Sequence, residues 1–239
     1  MPSVRKTEEE LVRLHARPRP NVMQSLEPGI HPLSLGAGRD GLISVPPGHR
    51  PGEPAALLVL LHGAGATAAH LLLHFQEQVD AAGLLVLAPD SRGRTWDMLL
   101  GGWGPDVAFL ERALERVFST CAVRTDRIAI GGFSDGASYA LSLGLANGDL
   151  FKHVLAFSPG FAAPPVQHGE PRIFISHGTR DRVLPIDRCS RPLRPRLERA
   201  GHEVLYREFD GEHVVPPAIM AEAFGWWLRD GRPGREPGA

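Results

Sequence analysis

Two rhythms of apolar residues run along this chain. The first is the short unbroken run, as in Ala56-Leu57-Leu58-Val59-Leu60-Leu61 and Leu84-Leu85-Val86-Leu87-Ala88. With no polar residue on either face of the pleat, such runs predict strands buried on both sides. Shorter runs at 41–45, 128–133, 154–158, 172–176 and 203–209 predict five more strands. The second rhythm has helical spacing. It predicts helices at about 68–82, from Asp106 as N-cap to about Thr120, at 137–146, around 191–200 and near 217–230. Pro46-Pro47 and Pro89-Asp90 close the strands they follow. Strands alternating with helices predict an α/β fold with a mostly parallel sheet covered on both faces. In such sheets ligand sites form beyond the carboxyl ends of the strands.

The ends of the chain depart from both rhythms. Residues 1–27 are charged, include Arg17-Pro18-Arg19-Pro20, and predict a short helix at 8–15 followed by an extended arm. One domain is expected over 28–230, and a flexible Gly/Pro-rich tail over 231–239. At 239 residues the chain is long enough for one sizeable core.

Composition narrows the range of functions. A formal net charge of −1, with arginines interleaved among acids, argues against nucleic acid or an anionic membrane as partner. Two cysteines, Cys121 and Cys189, are too few for a disulfide framework or a cysteine metal site, and two buried thiols are expected. The N-terminus lacks an apolar signal core, and no apolar run reaches the length of a membrane span. The expectation is a cytoplasmic protein acting on a small molecule, with a homodimer left open.

The chemistry centres on Gly132-Phe133-Ser134-Asp135-Gly136, a G-x-S-x-G pattern between a predicted strand and a predicted helix. A sharp turn there lifts a serine hydroxyl above the sheet, and glycines at either side remove Cβ atoms that would clash. The bland alternative is a serine N-cap on an ordinary helix. A serine hydroxyl needs a base to take its proton and an acid to orient that base. Both candidates follow a strand, in the order acid then base. Asp181 lies in His177-Gly178-Thr179-Arg180-Asp181, and His213 in Asp210-Gly211-Glu212-His213. Asp187 rivals Asp181 but is better suited to capping the next helix. The oxyanion needs two N–H donors. Asp135 supplies one and Ala64, in the loop His62-Gly63-Ala64-Gly65, the other, with Gly65 nearly its equal. That loop also matches a G-x-G-x-x-A dinucleotide pattern with Asp90 as ribose acid, but this reading leaves Ser134, Asp181 and His213 without a role.

Taken together, Leu61-His62-Gly63-Ala64-Gly65, Gly132–Gly136, His177–Asp181 with Pro185, and Gly211-Glu212-His213 resemble the α/β-hydrolase superfamily, within its phospholipase/carboxylesterase (acyl-protein thioesterase-like) group. Ala88–Gly93 and Phe157-Ser158-Pro159-Gly160 extend the resemblance, which spans about residues 55–228. It implies ester or thioester hydrolysis through an acyl-enzyme, with no cofactor and no metal. One departure is Asp135, where members acting on long acyl chains often carry Gln or Gly. The glycine-rich loop 91–106 is this chain's own, and its Trp96 and Trp103 are candidates to line an acyl pocket or to cover the core. The expected function is a serine carboxylesterase for small esters. The alternatives are a hydrolase-fold binding protein with little turnover, or a thioesterase or lysophospholipase for longer acyl chains.

Overall fold

The computed structural model describes residues 7–229 except 21, 23–25 and 37. The expected tail at 231–239 lies outside the described residues. Eight strands form one sheet in the order β1-β2-β4-β3-β5-β6-β7-β8. They are β1 (Gly29–Pro32), β2 (Gly41–Val45), β3 (Ala55–Leu61), β4 (Leu85–Pro89), β5 (Val123–Phe133), β6 (His153–Phe157), β7 (Arg172–Gly178) and β8 (Val204–Phe209). The pairs from β4 through β8 are parallel, while β1 and β2 run antiparallel at one edge.

The apolar runs lie where continuous hydrophobicity requires, with β3, β4 and β6 buried almost throughout. Alternate side chains feed two cores. Leu57, Val59, Leu61, Leu85 and Leu87 point into one, against α3 (Pro105–Thr120) and α4 (Asp135–Ala146). Leu58, Leu60, Val86 and Ala88 point into the other, against α2 (Ala68–Ala81) and α6 (Pro217–Leu228). The period of two thus splits one apolar run between two layers of helices. Helix α5 (Ser190–Arg199) packs on β7 and β8 at the far edge.

Several expectations need correction. Strand β1 was not predicted. Its Gly-Ile-His-Pro sequence is largely exposed at the sheet edge and carries no buried stripe. Helix α3 begins at Pro105 with Gly104 as N-cap, so Asp106 does not cap it. The Asp106 carboxylate instead accepts the backbone N–H groups of Arg92 at 2.5 Å and Asp97 at 2.7 Å, tying down the loop 91–106. Burial pushes this carboxyl up. Asp187 does not cap α5 either. It pairs with Arg191 at 2.6 Å, and the N-cap residue is Cys189.

The early segment forms α1 (Glu8–Val12), closed by a capping box between Thr7 and Glu10. The next residues lie along the carboxyl end of α4. Asn147 donates its amide to the carbonyls of Val12 (3.0 Å) and Leu143 (2.9 Å), and accepts the Leu14 N–H at 2.8 Å. Arg13 binds the Ala146 carbonyl and the Asp149 carboxylate. Cys121 and Cys189 are free and buried. Among the described residues no helix is long and apolar enough to cross a membrane.

Candidate active site

The motif at 132–136 sits between β5 and α4, the two central elements. Ser134 has φ 58° and ψ −120°, a conformation that a non-glycine residue adopts only under constraint from its surroundings. That constraint is packing of backbone on backbone. A Cβ at Gly136 would lie 2.6 Å from the His62 carbonyl oxygen, and one at Gly132 would lie 2.5 Å from the Gly136 carbonyl. The end of β3 therefore touches the start of α4 directly. The Ser134 N–H donates to the Phe157 carbonyl at 3.0 Å, tying the turn to β6, and the residue is 8% exposed.

The loop after β3 faces this turn. A Cβ on Gly63 would stand 3.4 Å from that of Ser134. His62 is fully buried, and its Nδ1–H donates to the Gly63 carbonyl at 2.8 Å. Its Nε2 accepts the Ser91 N–H at 3.0 Å. Burial holds this imidazole below the ordinary histidine range, despite the Gly63 bond, and Arg39 pushes the same way. Arg39 further links the Ala66 and Ser91 carbonyls. Of the two oxyanion donors considered in this loop, the Gly65 N–H is spent on the Arg94 carbonyl at 2.8 Å. The Ala64 N–H has no such partner among the described residues. Asp135 opens α4, so its N–H belongs to those a helix leaves without an intrahelical acceptor. The Asp135 side chain accepts the Thr95 hydroxyl at 2.7 Å, which settles its carboxylate on the loop 91–106.

Asp181 and His213 meet. The His213 Nδ1 lies 2.6 Å from Asp181 Oδ2, so Nδ1–H donates and Nε2 keeps its lone pair. Asp181 Oδ1 accepts the N–H groups of Val183 (2.9 Å) and Leu184 (2.8 Å). Burial works to raise this carboxyl, but the bonds from His213 and from these two amides outweigh it and hold it below the usual carboxylate range. The loops bearing the two residues are also joined. Thr179 N–H donates to the Phe209 carbonyl and Arg180 N–H to the Gly211 carbonyl, both at 2.9 Å. Gly178 permits this, since a Cβ there would lie 2.5 Å from the Gly211 oxygen. The His213 ring rests on Phe133, the neighbour of Ser134, with centroids 4.6 Å apart.

The two tryptophans considered for an acyl pocket are not in one. Trp96 is 1% exposed, donates its indole N–H to the His62 carbonyl at 2.9 Å and stacks on Tyr139. Trp103 is buried against the same tyrosine. Both belong to the core beneath the loop. Open space lies beside Phe133, the neighbour of Ser134, in a cleft of about 180 Å³ lined by His62, Gly63, Ala66, His70, Leu71, His74, Phe75, Phe133 and Val215. Gly65, also considered for substrate contact, does not line it. Sequence reading missed the α2 residues. Their signal is faint, a first turn of α2 that directly follows the loop 62–67. The dinucleotide pattern in that loop is accounted for otherwise: Asp90 accepts the Ala68 N–H at 2.6 Å at the start of α2. Among the described residues no group of three or more His, Cys, Asp or Glu could hold a metal ion.

Known proteins are similar to this chain in sequence and fold. The sequence profile of the Phospholipase/Carboxylesterase family matches residues 108–224. Feruloyl esterase C of Emericella nidulans is 28% identical over 166 residues, which cover 63% of this chain and 57% of that relative's length. The crystal structure of esterase PE8 superposes with a TM-score of 0.63 at 22% identity, covering 86% of this chain and 99% of the other. The Bacillus cereus carboxylesterase superposes with a TM-score of 0.59 at 19% identity, covering 81% and 95%. Over residues 108–224 the chain matches the phospholipase/carboxylesterase family, and its fold is that of the α/β-hydrolase esterases.

Proposed function

We propose that the protein is a carboxylesterase that hydrolyses small carboxylic esters through an acyl-enzyme on Ser134. The observation that carries this reading is the 2.6 Å bond from His213 Nδ1 to Asp181, with the His213 ring seated beside the Ser134 turn. His213 Nε2 takes the Ser134 proton as Oγ attacks the ester carbonyl. The Ala64 and Asp135 N–H groups hold the oxyanion. The C–O bond to the alcohol breaks, and the alcohol leaves with the proton from His213. Water then repeats the sequence on the acyl-enzyme, releasing the acid and restoring Ser134. Asp181 keeps His213 in the Nδ1–H tautomer and stabilises the imidazolium that forms at each step.

The cleft sets the acyl size. A cavity of about 150 Å³ holds one benzene ring, so a cleft of about 180 Å³ suits a short chain or a single aryl group. A specific observation favours aryl acids as a second reading. Phe75, Phe133 and Leu71 form an apolar wall, and the Emericella relative is named for feruloyl esters.

The test is turnover of p-nitrophenyl esters of two to twelve acyl carbons, with methyl cinnamate alongside. Rates are expected to peak at short chains and to fall by about 10⁶-fold in Ser134→Ala, the scale of losing the nucleophile. Wild-type rates in that variant would end the proposal. A peak at the longest chains would favour the thioesterase or lysophospholipase reading. Labelling of Ser134 by a fluorophosphonate without turnover of any ester would favour a binding protein.

A further inference from the structure

His177 is a buried titratable side chain that the proposed reaction does not use. It ends β7, is fully buried, and touches the proposed acid. Its Nε2 lies 2.7 Å from the Leu184 carbonyl and 3.2 Å from Asp181 Oδ2. A carbonyl can only accept, so Nε2 carries the proton. Nδ1 is buried with no hydrogen-bond partner among the described residues. A second proton there would have no acceptor, so the ring is held in one neutral tautomer. Burial pushes this imidazole below its ordinary range, and nearby His213 acts in the same direction. Three charged or titratable groups face the ring: Asp181 from the loop after β7, His213 from the loop after β8, and Glu208, its register partner on β8. Glu208 is engaged by Arg191, at 2.9 and 2.7 Å.

Asp181 thus has three hydrogen-bond donors and one further N–H close by. Two backbone amides hold Oδ1, His213 holds Oδ2, and the His177 N–H stands 3.2 Å from Oδ2. His177 also binds the carbonyl of Leu184, whose own N–H is on Asp181. A single N–H therefore touches both the carboxylate and the loop that carries it.

We propose that His177 is a positioning residue for ester hydrolysis. Its neutral Nε2–H holds the 181–184 loop closed on Asp181 through the Leu184 carbonyl and, 3.2 Å from Oδ2, offsets part of the negative charge that His213 otherwise meets alone at that oxygen. The inference rests on the reading of Asp181 and His213 as acid and base.

The variants His177→Phe and His177→Gln test it, assayed on a short p-nitrophenyl ester across pH 5–9. Phenylalanine keeps the ring and loses the donor. Glutamine places an amide N–H three bonds from Cβ, as Nε2 is. His177→Phe is expected to lower kcat about tenfold, the scale of one hydrogen bond to a charged group, with KM within twofold. The acid limb of kcat/KM should move to higher pH, because Asp181 without the nearby His177 N–H stabilises the His213 imidazolium more. His177→Gln should restore both. A wild-type kcat and pH profile in His177→Phe would overturn the proposal, as would a loss that His177→Gln fails to repair. Should His177→Phe not fold, imidazole ¹⁵N shifts in the unaltered protein decide. A neutral Nε2–H tautomer from pH 5 to 8 supports the role, and an Nδ1–H or charged ring refutes it. Loss of turnover in Ser134→Ala with no effect at His177 would overturn this inference alone. Full activity in Ser134→Ala would overturn the carboxylesterase reading itself.

Discussion

Ser134 and His213 rest on two kinds of support. On the Ser134 side, backbone meets backbone: Gly136 and Gly132 bring α4 against the end of β3, and the serine N–H is pinned to β6. No side chain need be chosen correctly there, but none may be added. On the His213 side, position comes from side-chain bonds: His213 to Asp181, Asp181 to two amides, and His177 to the Leu184 carbonyl. The first kind of support resists small errors and fails by unfolding. The second permits folding around an error and fails in the chemistry. A substitution on each side should therefore register in a different measurement.

Of these two substitutions, the larger effect is expected at Asp181→Asn. The amide oxygen stays with the Val183 and Leu184 N–H groups, which leaves the amide NH₂ facing His213. Nδ1 must then accept, its proton moves to Nε2, and the base is lost. Loss of the correct tautomer in this way costs about 10⁴-fold in kcat, while the urea midpoint should move little. A kcat within tenfold of wild type would show that Asp181 does not set the tautomer. Next comes Gly136→Ala, which should show the reverse. Its new methyl meets two carbonyl oxygens, and the destabilisation should reach about 3 kcal/mol, the upper range for overpacking. Urea unfolding measures it, and an unchanged midpoint would remove the claim that backbone contact fixes the turn.

The smallest effect concerns pH, and each side owns one buried histidine. His62 and His177 are both held below the ordinary histidine value of 6.5. Below that pH the unfolded chain binds protons that the folded rings refuse, so stability falls as pH falls. Asp181, also lowered, adds to the loss only below its unfolded value of 3.8. Asp106, raised by burial, acts in the opposite sense. The urea midpoint should drop between pH 7 and pH 5, by at most about 1.4 kcal/mol per pH unit for each ring. His177→Gln should remove part of that slope. A midpoint that rises on acidification would contradict the burial of both rings in neutral form.

The same contrast explains what could be read in the sequence. Strands β3 and β4 announced themselves because burial on both faces leaves no polar position. The motif at 132–136 was legible because its tight contact admits only glycine on either side. Asp181 and His213 were found by their place after β7 and β8. What stayed hidden depends on phase and packing. Which residues of α2 face the cleft follows from the rotation of that helix against the sheet, so His70, His74 and Phe75 gave no sign. Trp96 and Trp103 read equally well as pocket or core until their Tyr139 partner was in view. His177 was visible only as a neighbour of Asp181, because its bonds depend on how the loop 181–184 folds back. Strand β1, four residues of which three are exposed, is made by pairing with β2 and not by its own pattern.

The clasp between Asn147 and the segment 12–14 has a consequence for how the protein is made. On a ribosome, Val12 and Leu14 emerge long before Asn147, and until then their carbonyl and N–H face water. Chains are synthesised at about 5–20 residues per second, so the 133 residues between Leu14 and Asn147 represent several seconds of waiting. The clasp closes only after α4, and with it the serine turn, has left the exit tunnel. It joins the segment 12–14 to the carboxyl end of α4, the helix that opens just after Ser134.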